Sequence, residues 1–304
     1  MGHLADGLES AGPDATREAT IMFERFERSW DLANACMGLL REDKSLLIFP
    51  LLSSIAMLSI VASFAVPLYP LVTAMSKHGY VHSLDSLAYV GLFVFYWIQF
   101  TIVTFFNTAL VEVAMDRLDG GDATTGDGLS RAWKRFPTIL AYSAIAATVG
   151  TVLRLILERV GFIGKIVVGM IGLVWAVATA LVVPVLAAED VGPIEAVQRS
   201  VELIKKSWGE DLIGNAGIGL AFGVFMAVIA FCGGLLFLAA LSVHSTAFAV
   251  LVLAILVVSL CTIALAQATL SGLYSAALYR YAAGETKTGD IDPALLQSAF
   301  RARD

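Results

Sequence analysis

Six long apolar stretches, separated by short polar segments, set the pattern of the chain. They lie at approximately residues 46–75, 87–115, 137–157, 163–188, 212–243 and 246–281. Each is long enough to cross about 30 Å of hydrocarbon at about 1.5 Å per residue. The pattern therefore predicts an all-α, polytopic membrane protein with six transmembrane helices.

Amphipathic segments precede the first, third and fifth stretches. In residues 21–41 and 194–208, apolar residues recur at steps of three and four, and residues 130–137 share part of this sequence. Such helices lie in the membrane interface or pack on the protein's own surface. The side chains expected to make the interfacial contacts are Phe26, Trp30, Trp133, Ile204 and Trp208.

A second similarity joins the second and sixth stretches. The polar spacing of Thr104, Thr108 and Glu112 is followed by a Gly-rich turn that ends at Asp127, and this arrangement returns 163 residues later to end at Asp290. Internal repeats in membrane proteins generally indicate a pseudosymmetric bundle. We therefore expect three related helical hairpins, each preceded by a cytoplasmic amphipathic helix.

The Gly-rich turn at residues 121–127 differs from a phosphate-binding loop. It lacks the lysine and the spacing of that loop, and Asp127 would repel a phosphate. Glycine supplies positive φ angles, and an aspartate can cap the helix that follows. We expect a turn and a helix cap.

Composition agrees with a membrane protein and predicts its orientation. The chain is 58% hydrophobic and 15% charged, whereas soluble domains are about 25% charged. Sixteen of the 20 Lys and Arg residues lie on the side that carries both termini. The positive-inside rule places that side in the cytoplasm. The net charge of −6 argues against a nucleic-acid partner.

Three regions are expected along the chain. Residues 1–20 are a polar tail that should be disordered, and residues 21–285 form a single membrane domain. Residues 286–304 form a cytoplasmic C-terminal tail.

No cofactor, metal site or catalytic centre is predicted. The three cysteines form no CxxC pair, and the four histidines lie in the tail or in loops. His78 and His82 are four residues apart, but no carboxylate or thiol joins them. Motifs such as HExxH and GxSxG do not occur. We therefore expect a non-enzymatic protein.

Motifs spread over most of the chain after residue 20 resemble those of a known family. They include Phe23-Glu24-Arg25, Glu42-Asp43-Lys44, Gly126-Asp127-Gly128-Leu129 and Glu189-Asp190-Val191-Gly192-Pro193. On these motifs the chain resembles a domain-of-unknown-function family of six-span prokaryotic integral membrane proteins. The resemblance implies the six-span topology and a location in the prokaryotic plasma (inner) membrane. It implies no reaction.

A more distant resemblance concerns the helix before the fifth stretch. Its segment Arg199-Ser200-Val201-Glu202-Leu203 is similar to the membrane domain that accompanies some glycerophosphodiester phosphodiesterases. The catalytic domain of those enzymes has no counterpart in this sequence, so this resemblance also implies no reaction.

Polar side chains occupy corresponding faces of the second and sixth stretches. Such groups are costly in hydrocarbon unless they face the bundle or a water-filled cavity. The two faces would line a common interior, or they would hold the helices together and bond the helices' own carbonyls. The candidate residues are Gln99, Thr104, Thr108, Glu112, Gln267, Ser271 and Ser275.

Glu112 is the ionisable member of these faces. It lies about one helical turn inside the cytoplasmic end of its stretch. A partly desolvated glutamate would serve as a proton site. Alternatively, it pairs with Arg117, Arg280 or another basic residue at that interface.

Basic residues also lie near the outer ends of the third and fourth stretches. Arg154 and Glu158 have the spacing of an intrahelical ion pair. Arg154, Arg159 and Lys165 would contact lipid phosphates, because long basic side chains reach the headgroups.

Two hypotheses about function follow. The first is binding or passage of a small molecule, a lipid or a proton along the polar faces of the second and sixth spans. The alternative is a membrane scaffold or lipid-associated assembly protein that uses its cytoplasmic interfacial helices. The expected partners are membrane lipids, together with a second copy or a membrane partner protein.

Gly219 and Gly223 in the fifth stretch have the spacing that allows two helices to approach closely. We expect them to pack against another helix of the same chain or, alternatively, against a second copy.

Overall fold

The computed structural model describes residues 44–78, 85–206, 211–242 and 246–284. Within these residues a 3-10 turn (Lys44–Leu47) is followed by nine α-helices, with no strand. The helices are α1 (Ile48–His78), α2 (Asp85–Leu118), α3 (Thr125–Lys134), α4 (Phe136–Arg159), α5 (Phe162–Ala178), α6 (Val182–Ala188), α7 (Pro193–Lys206), α8 (Asp211–Ser242) and α9 (Thr246–Ala283).

Six segments within the described residues are long and apolar enough to cross a membrane. They are Lys44–Ala65, Val90–Leu118, Phe136–Arg159, Phe162–Ala188, Phe222–Ala240 and Phe248–Ala283. The predicted all-α fold with six candidate spans is confirmed. The amphipathic segment at 21–41 and the tails at 1–20 and 286–304 lie outside the described residues, and the threefold repeat stays a prediction.

The fourth span is a single crossing made of two helices. α5 ends at Ala178, and α6 begins at Val182. Pro184 explains the interruption, because proline has no N–H to donate and its ring clashes with the carbonyl four residues before it. The N–H of Leu181 instead donates to the hydroxyl of Ser200 in α7, 3.1 Å away. A side chain of α7 therefore supplies a hydrogen bond that the interrupted helix lacks.

Most of the buried side chains gather at one end of the bundle. They come from the C-terminal halves of α2 and α9, from α3, α6 and α7, and from the start of α1. We call this region the packed end. Large members of its core are Phe49, Leu110, Leu186, Leu203 and Tyr274, all nearly inaccessible to solvent.

The opposite part of the bundle is apolar on its outside. α5 carries exposed side chains such as Phe162, Met170 and Val174, and α8 exposes Phe231. Exposed apolar residues on long apolar helices are those that lipid tails would cover. The packed end and the apolar surface thus divide the molecule into a protein-packed part and a part that requires an apolar solvent.

Two glycines with positive φ follow the long helices that meet in the core. Gly120 (φ 75°) follows α2, and Gly284 (φ 77°) follows α9. Such residues commonly end helices because glycine has no side chain to clash in the left-handed conformation. Gly120 lies three residues after Arg117, whereas Gly284 lies four residues after Arg280. The alignment that predicts the repeat pairs Gly284 with Gly121. The glycine that ends α2 is therefore one residue earlier than this alignment requires.

Candidate functional site

Helix α3 is positioned by a capping box at its first turn. Thr124 is the N-cap, and its hydroxyl accepts a hydrogen bond from the backbone N–H of Asp127 at 3.3 Å. The Asp127 carboxylate accepts bonds from the backbone N–H of Thr124 at 2.8 Å and from its hydroxyl at 2.6 Å. These bonds from Thr124 hold the pKa of Asp127 below its ordinary value. Asp127 therefore helps to cap α3 as predicted, although the N-cap itself is Thr124. The expected positive φ does not occur within residues 121–127, because among the described glycines it is found at Gly120 and Gly284.

A missing side chain lets α3 lie directly on α2. A Cβ atom at Gly128 would be 2.5 Å from Cγ2 of Val113 and 2.7 Å from the carbonyl oxygen of Ala109. Ala132, one turn later, is fully buried. This close contact brings three basic side chains next to Glu112 on α2. They are Arg131, Lys134 and Arg135, whose spacing of three and four residues places them on one side of α3.

An open pocket of about 630 Å³ lies between α2, α3 and the end of α6. Its lining mixes acidic and basic side chains with a few apolar ones. The lining residues are Glu112, Met115, Asp116, Asp119, Arg131, Lys134, Arg135, Ala187, Ala188 and Asp190.

Glu112 is the most buried acidic residue of the pocket. Its side chain is only 6% exposed, and its Oε1 atom has no hydrogen-bond partner among the described residues. Nε of Arg135 lies 3.6 Å from this oxygen, which is an ion pair without a hydrogen bond. Nη1 of Arg135 donates to the backbone carbonyl of Glu189. Arg135 is thus held by the main chain after α6, and it leaves Glu112 incompletely bonded.

Two other acidic residues of the pocket are engaged. Both Nη atoms of Arg131 donate to Oδ1 of Asp116 at 3.2 Å, and Oδ2 of Asp116 accepts the N–H of Ala123 at 3.0 Å. Asp119 accepts a hydrogen bond from Arg280 of α9, which also donates to the carbonyl of Met115 at 3.2 Å. These bonds fix the pocket wall to the end of α9.

The segment after α6 is fixed by a second network. Oε1 of Glu189 accepts hydrogen bonds from Nε of Arg199 and from the hydroxyl of Tyr279, each at 2.9 Å. The hydrogen bond to Glu189 raises the pKa of Arg199, which keeps this guanidinium charged. α7 and α9 together therefore set the position of the Glu189 carbonyl that holds Arg135.

The residues predicted to form polar faces are only partly brought together. Gln99, Thr104 and Thr108 are buried on α2, but among them and Glu112 only Glu112 lines the pocket. Thr108 donates to the carbonyl of Thr104 on its own helix at 2.8 Å.

The corresponding face of α9 is half-buried. Gln267, Ser271 and Ser275 are each partly exposed, and Ser275 donates to the carbonyl of Gly272 at 2.9 Å. α9 meets α2 at Gly272, where a Cβ atom would lie 2.5 Å from Leu110. Apolar contact, rather than two facing polar stripes, joins the helices at this point.

The candidate interfacial residues fall into three groups. Trp133 is 65% exposed, and its ring stacks on Phe136 with a centroid distance of 5.0 Å. Ile204 is buried in the core. Phe26, Trp30 and Trp208 lie outside the described residues.

The candidate lipid-phosphate residues lie away from the pocket. Arg154 is bonded within the protein, because its Nε lies 3.3 Å from Oε1 of Glu158 and its Nη1 donates to the hydroxyl of Tyr96. The predicted pair with Glu158 is therefore present. Arg159 and Lys165 are exposed.

Several pocket residues were not identified as site residues from the sequence. Arg131, Lys134 and Arg135 fall within residues 130–137, which were identified only as similar to the amphipathic segments, although their spacing places them on one face of a short helix. Nothing in the sequence marks Ser200 as the acceptor for Leu181. Within the described ranges no group of three or more His, Cys, Asp or Glu side chains is placed to hold a metal ion.

Comparison with known proteins places the chain in a family without an assigned activity. A model described as "Family of unknown function (DUF6159)" matches residues 86–290, which is more than half of the chain. The chain belongs to this family, and the expected membership of an unknown-function family is confirmed over those residues. No curated protein matches the chain.

Proposed function

We propose that this member of the unknown-function family is a membrane protein that binds a small polar molecule or a lipid headgroup in the pocket at its packed end. The observation that carries the proposal is the Glu112 carboxylate, which lines an open pocket, is almost fully buried and has an oxygen without a hydrogen bond. A pocket with convergent polar groups is the usual form of a ligand site.

The electrostatics of Glu112 favour a bound partner. A carboxylate removed from water loses several kcal/mol of hydration, and an ion pair offsets this loss only with good geometry and further hydrogen bonds. Arg135 provides charge at 3.6 Å, but its guanidinium is directed to the carbonyl of Glu189. A ligand that donates to Oε1 would complete the bonding, and its free energy of binding would include this gain.

Binding is favoured over passage through the bundle. The hydroxyls of Thr108 and Ser275 are bonded to carbonyls of their own helices. Such bonds are the usual state of Ser and Thr in membrane helices and need no hydrated path. The proposal also concerns binding without catalysis, since the pocket brings together charged groups but no nucleophile paired with a base.

The pocket is proposed to open to the cytoplasm of a prokaryotic cell. The basic residues of α3 and α7 and Arg280 lie at the packed end. The positive-inside rule assigns such an end to the cytoplasmic side of the inner membrane. A ligand would then enter from the cytoplasm or from the inner leaflet.

A tryptophan that fills the pocket tests the proposal. Ala188 is exposed on the pocket wall, and Ala176 is exposed on α5, away from the pocket. Native mass spectrometry of the protein purified in a mild detergent would measure bound small molecules or lipids. Wild type and Ala176→Trp should retain a bound mass that Ala188→Trp loses. If wild type carries no such mass, or Ala188→Trp retains it equally, the pocket is not a ligand site.

A scaffold that contacts the membrane surface is a second candidate function. It is favoured by Trp133, whose exposed ring stacks on Phe136 and also meets Phe105 edge-on at 6.0 Å. Tryptophan with one exposed face is typical of membrane interfaces. Brominated lipids should quench the tryptophan fluorescence of wild type more than that of Trp133→Phe, because the variant lacks the tryptophan that contacts the membrane. Equal quenching of wild type and Trp133→Phe would remove this support.

A further inference from the structure

We infer that the ligand of the pocket is an ammonium zwitterion, with N–H donors at its deep end that bind Glu112 and an anionic group that lies near Lys134. This inference rests on the proposed function, since it specifies the ligand of the same pocket. A free amino compound that carries a phosphate or carboxylate and the headgroup of an ethanolamine phospholipid share this chemistry.

The deep end of the pocket offers an acceptor to a positively charged donor. Oε1 of Glu112 has no hydrogen bond among the described residues, and its neighbour Arg135 gives one of its N–H groups to the carbonyl of Glu189. Asp116 and Asp119 already bind Arg131 and Arg280. Glu112 is therefore the buried acid with bonding capacity left, and charged donors make the strongest bonds to carboxylates.

The rim of the pocket offers one cation for the other end of the ligand. Lys134 is exposed at the end of α3, and within the described ranges its ammonium has no hydrogen bond or ion pair. Arg131, in contrast, is paired with Asp116. Asp190 on the facing wall is also exposed, so the rim carries both signs of charge. A purely anionic ligand would meet Glu112 and Asp190, whereas a zwitterion can satisfy both ends of the pocket.

A quaternary ammonium is the decisive comparison compound. The quaternary ammonium of choline phosphate has the same charge as the ammonium of ethanolamine phosphate but no N–H, so it cannot donate a hydrogen bond to Oε1 of Glu112. A charge-assisted hydrogen bond contributes about tenfold or more to an affinity. The pocket should therefore distinguish ethanolamine phosphate from choline phosphate.

The test uses the full chain in nanodiscs. In discs of phosphatidylcholine with a fixed fraction of phosphatidylglycerol, ethanolamine phosphate and choline phosphate are titrated while the melting temperature is measured. In a parallel arm, phosphatidylethanolamine replaces the phosphatidylcholine. The first arm reports a free ligand and the second a lipid headgroup. The variants are Glu112→Gln and Lys134→Ala, with Glu158→Gln as the control, because Glu158 is an exposed acid distant in sequence that does not line the pocket.

Wild type and Glu158→Gln should be stabilised by the ethanolamine compound in at least one arm, with about tenfold or greater preference over the choline compound. Glu112→Gln should lose the preference. Lys134→Ala should weaken the binding of ethanolamine phosphate more than the binding of ethanolamine titrated in the same way, because ethanolamine has no phosphate to contact Lys134. If Glu112→Gln fails to fold, this comparison in Lys134→Ala tests the inference instead. Stabilisation in one arm alone identifies the source of the ligand.

Two results would overturn the inference. One is equal response of wild type to the ethanolamine and choline compounds in both arms. The other is a preference that Glu112→Gln retains in full. If Ala188→Trp still removes a bound mass in either case, the pocket binds a ligand of another class and the proposed function stands. If that mass is also absent, both proposals fail.

Discussion

α5 and α6 are consecutive parts of one membrane span, and they differ in what surrounds them. Among the 17 residues of α5, Val168 is the buried one, whereas five of the seven residues of α6 are buried. α6 contacts α2, α7 and α9, while α5 contacts α4 and α7. Both segments are apolar, because lipid tails and protein cores accept the same side chains. Hydropathy therefore predicts the crossing but does not separate lipid-facing residues from packed ones.

Leucine truncation in the two helices should give the largest difference. Leu186 of α6 is 1% exposed, and Leu173 of α5 is 62% exposed. Leu186→Ala should lower the free energy of unfolding by about 2–5 kcal/mol, because it leaves a cavity in the core. Leu173→Ala should have little effect, since lipid or detergent fills the space. Reversible unfolding in mixed micelles would measure both. Equal losses would mean that α5 is packed against protein as α6 is.

A pair of buried serines tests the junction between the two helices. Ser200 and Ser143 are both fully buried, but Ser200 accepts the N–H of Leu181, whereas Oγ of Ser143 has no hydrogen-bond partner in the described part of the chain. Ser200→Ala should cost about 1–3 kcal/mol, because an N–H group loses its acceptor. Ser143→Ala should be neutral or slightly stabilising. The same unfolding assay applies, and a harmless Ser200→Ala would show that the junction does not depend on α7.

The smallest effect is expected at the cap of α3, which lies outside the spans. The pKa of Asp127 is lowered by its bonds from Thr124, so the carboxylate favours the folded state above its unfolded pKa. That contribution is lost as the pH falls below about 4, through the lowered folded pKa. The melting temperature of wild type should therefore be higher than that of Asp127→Asn at about pH 7, and the difference between the two melting temperatures should be smaller at about pH 3. A gap that does not depend on pH would exclude the charge of Asp127 as its cause.

The sequence predicts the large elements and the cap, but little of the packed end. Six spans follow from uninterrupted apolar runs, and a capping role for Asp127 follows from its position just before a predicted helix, although its partner Thr124 was not named. The interruption at Leu181 was not predicted, although Pro184 is visible in the sequence, since prolines occur in unbroken membrane helices as well.

The partner of Glu112 illustrates why sites were predicted less well than spans. Arg117 and Arg280 were the named candidates, and an unspecified basic residue was the third. The partner is Arg135, 23 positions away in the sequence, and Arg280 instead reaches Asp119. This pairing depends on the close contact of Gly128 with α2, a tertiary feature that no helical periodicity encodes.

The hydrogen bond from Leu181 to Ser200 also implies an order of events during synthesis. The donor precedes its acceptor by 19 residues. The amide of Leu181 is therefore synthesised before the hydroxyl that will receive it. Unpaired backbone groups are unfavourable in hydrocarbon, and the 17 residues of α5 span only about 25 Å by themselves. The hydrogen bonding of this crossing is thus complete only once α7 has docked against it.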